Sequence, residues 1–158
     1  MWPKASHPCF WIPGVAFSPF EDPAVEQARL KDKLSTGLVQ EIWLQIGSDL
    51  AALRTGLEFL KTSAPDVAIY GSVFVPSEQL LRRFRERPWQ GVDLTPNNYL
   101  ESLQNAEAVT KQILQLYSEF GVLPLVESPV ESPSVLRNMV SMLQERTGNA
   151  QADQNLTC

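Results

Sequence analysis

The sequence predicts an α/β fold with about four parallel strand–helix units. Short apolar runs alternate with amphipathic segments along its 158 residues. The run at 41–46, Glu-Ile-Trp-Leu-Gln-Ile, is apolar almost throughout, which is typical of a strand buried on both faces of a parallel sheet. Parallel neighbours need a long crossover between them, and an amphipathic helix supplies it. The pattern does not distinguish an open doubly wound sheet from part of a barrel.

The predicted strands are four short apolar runs. Pro13 makes the first of them an edge or irregular strand, because proline lacks the N–H that an inner ladder requires. Gly71 is expected to end the third strand. The four strands are predicted at residues 10–17, 41–46, 67–70 and 122–126.

Each predicted helix begins at a residue whose side chain can accept a hydrogen bond from a free backbone N–H group. Asp22 followed by Pro23 is one such start, and Gly37 suits the position just past the end of that helix. A long helical stretch is expected from 95 to 120, with an interruption allowed near 104–105. The predicted helix starts are Asp22, Ser48, Ser77, Thr95 and Ser132.

The domain organisation expected from length and composition is one domain over residues 1–148 and a polar tail over 149–158. Hydrophobic residues make up 44% of the chain and charged residues 20%, which is enough apolar material for one core. No run of about 18 apolar residues is present to span a membrane. The first residues do not have the pattern of a secretory signal.

Charge and cysteine content narrow the classes of function. With 13 basic and 18 acidic residues the net charge is −5, which argues against binding to nucleic acid or to an anionic membrane. Cys9 and Cys158 lie near opposite ends and form no disulfide framework, so we expect a cytoplasmic, reducing location. His7 is the single histidine, which argues against a histidine metal site or a Ser-His-Asp triad.

Polar residues that follow the predicted strands are the candidates for a ligand site, because parallel α/β folds bind ligands at the carboxyl ends of their strands. Gln45 is the most informative of them, since an amide inside an apolar strand must find a hydrogen-bond partner. The pattern leaves two interpretations open, contact with a ligand or a structural hydrogen bond to a loop, and it favours the second. The remaining candidates are Ser18, Glu21, Gly47, Ser48, Asp49, Gly71, Ser72, Glu127 and Ser128.

Other patterns are weaker. No glycine-rich nucleotide fingerprint is present. The basic segment 81–87 is a phosphate or nucleic-acid patch on one interpretation, and a solvated helix face on the favoured one.

From 13 to about 128 the chain resembles the second half of the catalytic barrel of the methylenetetrahydrofolate reductase family. The family's strand G-V-A-G-Y-P corresponds to G-V-A-F-S-P here, and its helix end L-K-x-K-x-x-A-G to L-K-D-K-L-S-T-G. The family's T-Q-x-x-[FY]-D corresponds to L-Q-I-G-S-D, and its P-G-I-x-P to Y-G-S-V-F-V. The matching stretches are 14–19, 30–37, 44–49, 70–75 and 106–122. The resemblance implies a half (β/α)8 barrel of the TIM type.

The resemblance also implies roles for four residues. Gln45 matches the glutamine that binds the pterin of folate, or the nicotinamide that alternates with it. Phe84 falls near the aromatic residue that stacks on those ligands. Lys33 matches a lysine that reaches the phosphates of the flavin, and Glu26 lies at the place of an aspartate that contacts it. The implied cofactor is FAD, and the implied ligands are a folate or a nicotinamide.

Departures from the family pattern shape the expected function. Ser18 stands where the family has a tyrosine, and the family's H-F-Y-T is L-V-E-S at 125–128. The barrel's first half, which carries the family's acidic proton donor, has no counterpart here, so no catalytic residue is assigned.

The expected function is that of a truncated or divergent oxidoreductase of one-carbon metabolism, resembling methylenetetrahydrofolate reductase. It would need self-association or a complementary half-barrel chain to reduce 5,10-methylenetetrahydrofolate. The alternatives are a non-catalytic binding or scaffold protein derived from that barrel and a degenerate fragment without activity.

Overall fold

A computed structural model describes residues 12–128, 132–134, 136–137 and 140–141 of the chain. Its four strands form one parallel sheet in which each strand lies beside its predecessor in the chain, in the order β1-β2-β3-β4. The strands are β1 (Gly14–Phe17), β2 (Glu41–Leu44), β3 (Ala68–Val73) and β4 (Leu123–Val126). The predicted α/β class with a parallel sheet is therefore confirmed, and the sheet is compatible with part of a β/α barrel.

Helices fill the connections between the strands. One helix joins β1 to β2 and one joins β2 to β3, whereas the longer connection to β4 holds two helices and a short 3-10 turn. The helices are α1 (Pro23–Leu34), α2 (Leu50–Ser63), α3 (Glu78–Glu86) and α4 (Leu103–Glu119), and the 3-10 turn is Pro96–Asn98. No helix within the described residues is both long and apolar enough to cross a lipid bilayer.

All three connections step in the same direction across the sheet, because the strand order follows the chain. Such connections are almost always right-handed, so equal steps place their helices on the same face. The rings of Phe17 in β1 and Phe59 in α2 lie 5.9 Å apart, and Tyr117 of α4 packs against Gly71 of β3. This helix-covered face holds the core, to which Leu30, Ile42, Leu44, Leu57, Leu60 and Tyr117 contribute fully buried side chains.

The opposite side of the sheet, which we call the open face, is largely apolar. Side chains alternate between the two faces along a strand, and the register makes Ala16, Trp43, Tyr70 and Leu123 lateral neighbours on this face. Trp43 is 39% exposed and Leu123 is 53% exposed. A doubly wound sheet would carry helices on both faces, so the consecutive strand order excludes that alternative for the four described strands.

The local signals that predicted the helix starts operate as expected at α1 and α3. The carboxylate of Asp22 accepts a hydrogen bond from the N–H of Val25 at 3.1 Å, and Ser77 accepts one from the N–H of Leu80 at 3.1 Å. Gly37 adopts a φ of +68° after α1, a conformation that costs glycine little because it has no Cβ.

At α2 the predicted start was displaced by one residue. Asp49, not Ser48, caps the helix, because its carboxylate accepts the N–H groups of Ala51 and Ala52 at 3.0 Å each. Ser48 is instead 1% exposed, and its hydroxyl donates to the carbonyl of Pro96 at 2.9 Å. A hydroxyl that finds a buried partner in another loop is not available to the helix end.

The long helical stretch expected from 95 to 120 is divided earlier than predicted. Asn97 and Asn98 have φ values of 57° and 59°, which are left-handed conformations that end the 3-10 turn and that asparagine tolerates better than most residues. The continuous helix α4 begins after Ser102, whose hydroxyl accepts the N–H of Asn105 at 3.1 Å.

Other predictions concern the ends of the chain. The start of the first predicted strand at 10–11 and the polar tail at 149–158 lie outside the described residues. The predicted closing helix is described only at 133–134, 136–137 and 140–141, and these residues are helical.

Candidate functional site

Gln45 lies on the open face at the carboxyl end of β2. Its backbone N–H donates to the carbonyl of Phe17 at 3.0 Å, so the strand pairing continues past Leu44. Leu44 points into the helix-covered core with 1% exposure, and alternation therefore directs Gln45 to the open face. The side chain is half-buried there.

Ser72 lies beside Gln45 and forms a polar pair with Glu127. The register pairs Leu44 with Gly71, so one further step places Gln45 beside Ser72 on the neighbouring strand. The Ser72 hydroxyl donates to carboxylate oxygen Oε1 of Glu127. The carboxyl ends of three neighbouring strands thus carry an amide, a hydroxyl and a carboxylate, with Glu127 two residues beyond the row that contains Gln45 and Ser72.

The backbone around this pair is held on several sides. The phenol of the buried Tyr117 donates to the carbonyl of Ser72 at 3.0 Å, and the N–H of Glu127 donates to the carbonyl of Val73 at 3.0 Å. The hydroxyl of Ser128 accepts the N–H of Val75 at 2.6 Å and so joins the loops that follow β3 and β4. These contacts fix Ser72 and Glu127 relative to each other.

An aromatic pair occupies the middle of the open face. The rings of Trp43 and Tyr70 stack with their centroids 4.9 Å apart and their planes at 24°. A Cβ atom at Gly14 would lie 2.8 Å from Nε1 of Trp43, so this glycine leaves room for the indole. The sequence signal for the pair is a tryptophan within the second apolar run.

The carboxyl ends of β1 and β2 are partly filled by loops. A Cβ atom at Gly47 would lie 2.6 Å from the ring of Phe20. Ser48 binds the connection between α3 and α4 on both sides, since its N–H donates to Asp93 at 3.3 Å and its carbonyl accepts from the Asn97 side chain at 2.6 Å. The predicted candidates Gly47, Ser48 and Asp49 therefore have structural contacts that explain their residue types.

Phe84 lies inside an aromatic cluster with Phe74 and Trp89. Its ring is 2% exposed and packs 5.5 Å from Phe74 and 5.0 Å from Trp89. Stacking on a ligand requires an accessible ring face, which this burial does not offer. Trp89, 44% exposed, is the accessible aromatic ring of the cluster.

Glu26 and Lys33 lie along the free edge of β1. The carbonyls of Pro13 and Phe17 point to β2, where they accept hydrogen bonds. Since carbonyls alternate in direction along a strand, the Ala16 carbonyl points away from β2. The ammonium of Lys33 donates to the Ala16 carbonyl at 3.5 Å. The carboxylate of Glu26 accepts the N–H of Ser18 at 3.4 Å and pairs with Arg29 at 2.6 Å. Both side chains thus cover backbone groups of an edge strand.

The basic segment at 81–87 is only partly a solvated helix face. Arg85 donates to the carbonyls of Leu100 and Glu101 at 2.7 and 3.2 Å, which fixes the segment before α4. Arg82, Arg83 and Arg87 are exposed.

Two further observations concern the chemistry that the described part of the chain can perform. No group of three or more His, Cys, Asp or Glu side chains lies close enough there to hold a metal ion. Burial raises the pKa of the Tyr99 phenol, and the hydrogen bond with Thr110 opposes part of that rise. The two hydroxyl oxygens lie 3.4 Å apart in the core, so this pair is remote from the open face.

Comparison with known proteins adds no assignment, since no family model and no curated protein matches the chain.

Proposed function

We propose that this chain is a divergent relative of methylenetetrahydrofolate reductase that binds a folate-type or nicotinamide-type ligand on its open face. In this proposal it takes part in flavin-dependent reduction of 5,10-methylenetetrahydrofolate only in association with a second chain. The observation that carries the proposal is the position of Gln45, half-buried on the open face at the carboxyl end of β2.

The arrangement of the sheet supports a TIM-type half barrel. Consecutive parallel strands with helices on one face are the repeating unit of such barrels, and ligands bind at the carboxyl ends of their strands. In that arrangement the open face would be the barrel interior, with the Trp43–Tyr70 pair as a layer of its filling and with Gln45 and Ser72 toward the mouth.

The need for a second chain follows from the exposed surfaces. β1 and β4 are the two edges of the described sheet, and unpaired edges and apolar faces favour association. Either a second copy or a complementary half-barrel chain would cover the open face.

An FAD site fits the described residues only in part. Lys33 is exposed and could meet a phosphate, whereas the Glu26 carboxylate is engaged by Arg29 and Ser18. Both lie at the free edge of β1, so the surrounding walls of a flavin site would come from the associated chain. When bound, the flavin would supply the hydride chemistry.

A non-catalytic binding or scaffold protein is the second candidate, and the edges of the sheet favour it. Lys33 and Glu26 occupy backbone groups at the edge of β1. At the other edge, the N–H of Glu127 donates to the carbonyl of Val73 in β3. Because backbone groups alternate in direction along a strand, the backbone nitrogen of Pro124 faces away from β3. It carries no N–H with which a further strand could pair. Strand addition at either edge therefore meets an obstacle within this chain.

Ligand titration tests the proposal. We expect a tetrahydrofolate or a nicotinamide dinucleotide to raise the melting temperature of the full chain, and Gln45→Ala to abolish that rise. Gln115→Ala is the matched control, since Gln115 is an exposed glutamine on α4. A rise that survives Gln45→Ala, or no rise with either ligand, would count against the proposed site.

Sedimentation with and without FAD tests the role of association. A yellow, flavin-loaded oligomer supports the enzyme component. A folate-binding monomer that takes up no flavin, alone or with a complementary chain, supports the binding protein instead.

A further inference from the structure

We propose that the exposed side of α3, together with Trp89, binds an acidic peptide segment of a partner protein. We call this surface the arginine patch and define it by Arg82, Arg83, Arg87 and Trp89, which line one surface pocket. None of these residues belongs to the proposed ligand site, so the inference goes beyond the proposed function and does not depend on it.

The helix α3 presents its basic residues on the side opposite its core contacts. Leu80, Leu81 and Phe84 are buried and attach the helix to the core. Arg82 and Arg83 lie between these positions and are both exposed. Because Leu80, Leu81 and Phe84 share one side of the helix by their spacing of three and four residues, the two guanidinium groups are directed to the solvent.

The charges of the arginine patch have no ion-pair partner within the described residues. The ion pairs formed there join Arg29 to Glu26 and Arg54 to Glu119. Arg85 of the same helix is engaged differently, since it donates to two backbone carbonyls. Three exposed positive charges therefore lie close together in a chain whose net charge is −5.

Trp89 is held by buried rings while part of its own surface faces the solvent. Its ring lies 5.5 Å from that of Phe74, edge to face, and 5.0 Å from that of Phe84. Both of these phenylalanines are buried, so the indole is supported from the core side. A fixed, accessible tryptophan beside arginines is typical of protein-binding surfaces, whose energetically dominant residues are enriched in Trp and Arg.

Stabilisation of the helix explains these residues only in part. Cations in the last turn of a helix interact favourably with its dipole, and Arg83 and Arg85 occupy that turn of α3. Arg82 precedes the turn, and the dipole gives no reason for an exposed ring at Trp89. A binding surface accounts for both.

The lining of the pocket favours an acidic peptide over other ligands. Guanidinium groups bind carboxylates through two parallel hydrogen bonds. Glu86 also lines the pocket, where its charge would repel the continuous negative charge of a nucleic acid but can accept hydrogen bonds from peptide N–H groups. Pockets for small molecules are mostly apolar, whereas Pro88 and Trp89 supply the apolar part here. We expect a segment with acidic residues on either side of one apolar side chain that packs on Trp89.

Selection from a phage-displayed library of random peptides on the immobilised full chain tests the class of partner. We expect the recovered peptides to be enriched in aspartate and glutamate around an aliphatic or aromatic residue. Fluorescence anisotropy of a recovered peptide, labelled with a dye, should show an affinity that falls as the salt concentration rises, because exposed charges are screened by salt.

Substitutions in the arginine patch locate the binding. Arg83→Glu and Trp89→Ala should each weaken peptide binding at least about 10-fold, as expected for residues that dominate an interface. Trp89→Phe should retain part of the affinity, since a ring remains. Lys31→Glu is the matched control, because it makes the same change of charge at an exposed position on α1 and should retain most of the affinity. Circular dichroism of each variant verifies folding.

The inference is overturned if the library yields no enriched peptide, if the enriched peptides are not acidic, or if Arg83→Glu binds them as tightly as the wild type does. Tighter binding of a mixed-sequence single-stranded DNA than of any recovered peptide would also overturn it and would assign the arginine patch to nucleic acid. Thermal shifts with a tetrahydrofolate or a nicotinamide dinucleotide report on Gln45 and should be unchanged by Arg83→Glu, so the proposed function stands or fails separately.

Discussion

Gly71 in the middle of β3 provides a sharp test of the packing that supports the candidate site. A Cβ atom at this position would lie 2.3, 2.5 and 2.8 Å from ring carbons of Tyr117. Gly71→Ala must therefore displace a ring that is 1% exposed. The phenol of that ring also donates to the carbonyl of Ser72 at 3.0 Å.

The expected loss of stability in Gly71→Ala has two parts. Overfilling a packed core costs about 1–3 kcal/mol, and loss of the phenol hydrogen bond costs about 1 kcal/mol more. We expect Gly71→Ala to lower the free energy of unfolding by about 2–4 kcal/mol. At roughly 2–4 °C per kcal/mol for a chain of this size, thermal unfolding followed by circular dichroism should show a decrease of roughly 5–15 °C.

Combining Gly71→Ala with Tyr117→Leu should remove the cost of the added methyl group. In a Tyr117→Leu background the ring is gone, and alanine is favoured over glycine inside a strand by about 0.5–1 kcal/mol. Gly71→Ala should then be neutral or stabilising. Gly37→Ala is the control, because Gly37 has a φ of +68° and no atoms within 4 Å of its added Cβ. Its cost should be the same in both backgrounds.

The reasoning is wrong if Gly71→Ala costs less than about 0.5 kcal/mol, or if its cost is the same with and without the Tyr117 ring. Either result would mean that the sheet and α4 do not approach each other as closely as these distances require.

Three further predictions concern stability and association. Burial raises the pKa of Tyr99 above its ordinary value of 10.0, so the folded state favours the neutral phenol. The free energy of unfolding should therefore stay constant below pH 10 and fall above it, where the unfolded chain loses the proton first. Tyr99→Phe should flatten that fall, and parallel urea midpoints between pH 8 and 11 would contradict this assignment. Asp49→Ala removes the acceptor of two N–H groups at the start of α2 and should cost about 1 kcal/mol in urea unfolding; an unchanged midpoint would show that solvent replaces the cap. Lys33→Ala uncovers the carbonyl of Ala16 at the sheet edge and should increase sedimentation-detected self-association, whereas Lys31→Ala should not.

The elements that the sequence predicted correctly are those whose signals are local. Asp22 and Ser77 cap helices within three residues of themselves, so neighbouring residues suffice to recognise them. The apolar runs predicted all four described strands for the same reason, because a buried strand is recognised from consecutive apolar residues.

Predictions failed where a distant partner competed with a local one. Ser48 has the chemistry of a helix cap, but Pro96 and Asn97 take its hydroxyl and carbonyl. Gly71 was expected to end a strand, yet β3 continues through it to Val73. Its missing side chain serves the contact with Tyr117, which the sequence around Gly71 does not reveal.

The candidate site shows the same division. The sequence drew attention to Gln45 as an amide in an apolar strand, and also placed Ser72 and Glu127 after neighbouring strands. Only the register of the parallel sheet made Gln45 and Ser72 neighbours, and only the hydrogen bond between Ser72 and Glu127 distinguished that pair from the other polar strand ends.

The α/β class, the four strands and the starts of α1 and α3 therefore follow from the sequence alone. Periodicity and capping act over a few residues and do not depend on the rest of the fold. The consecutive strand order, the placement of helices α1 to α4 on one face and the open face are visible only in the tertiary structure. Those features depend on which strands pair and in which direction the chain crosses the sheet, and such contacts join residues that are far apart in the sequence.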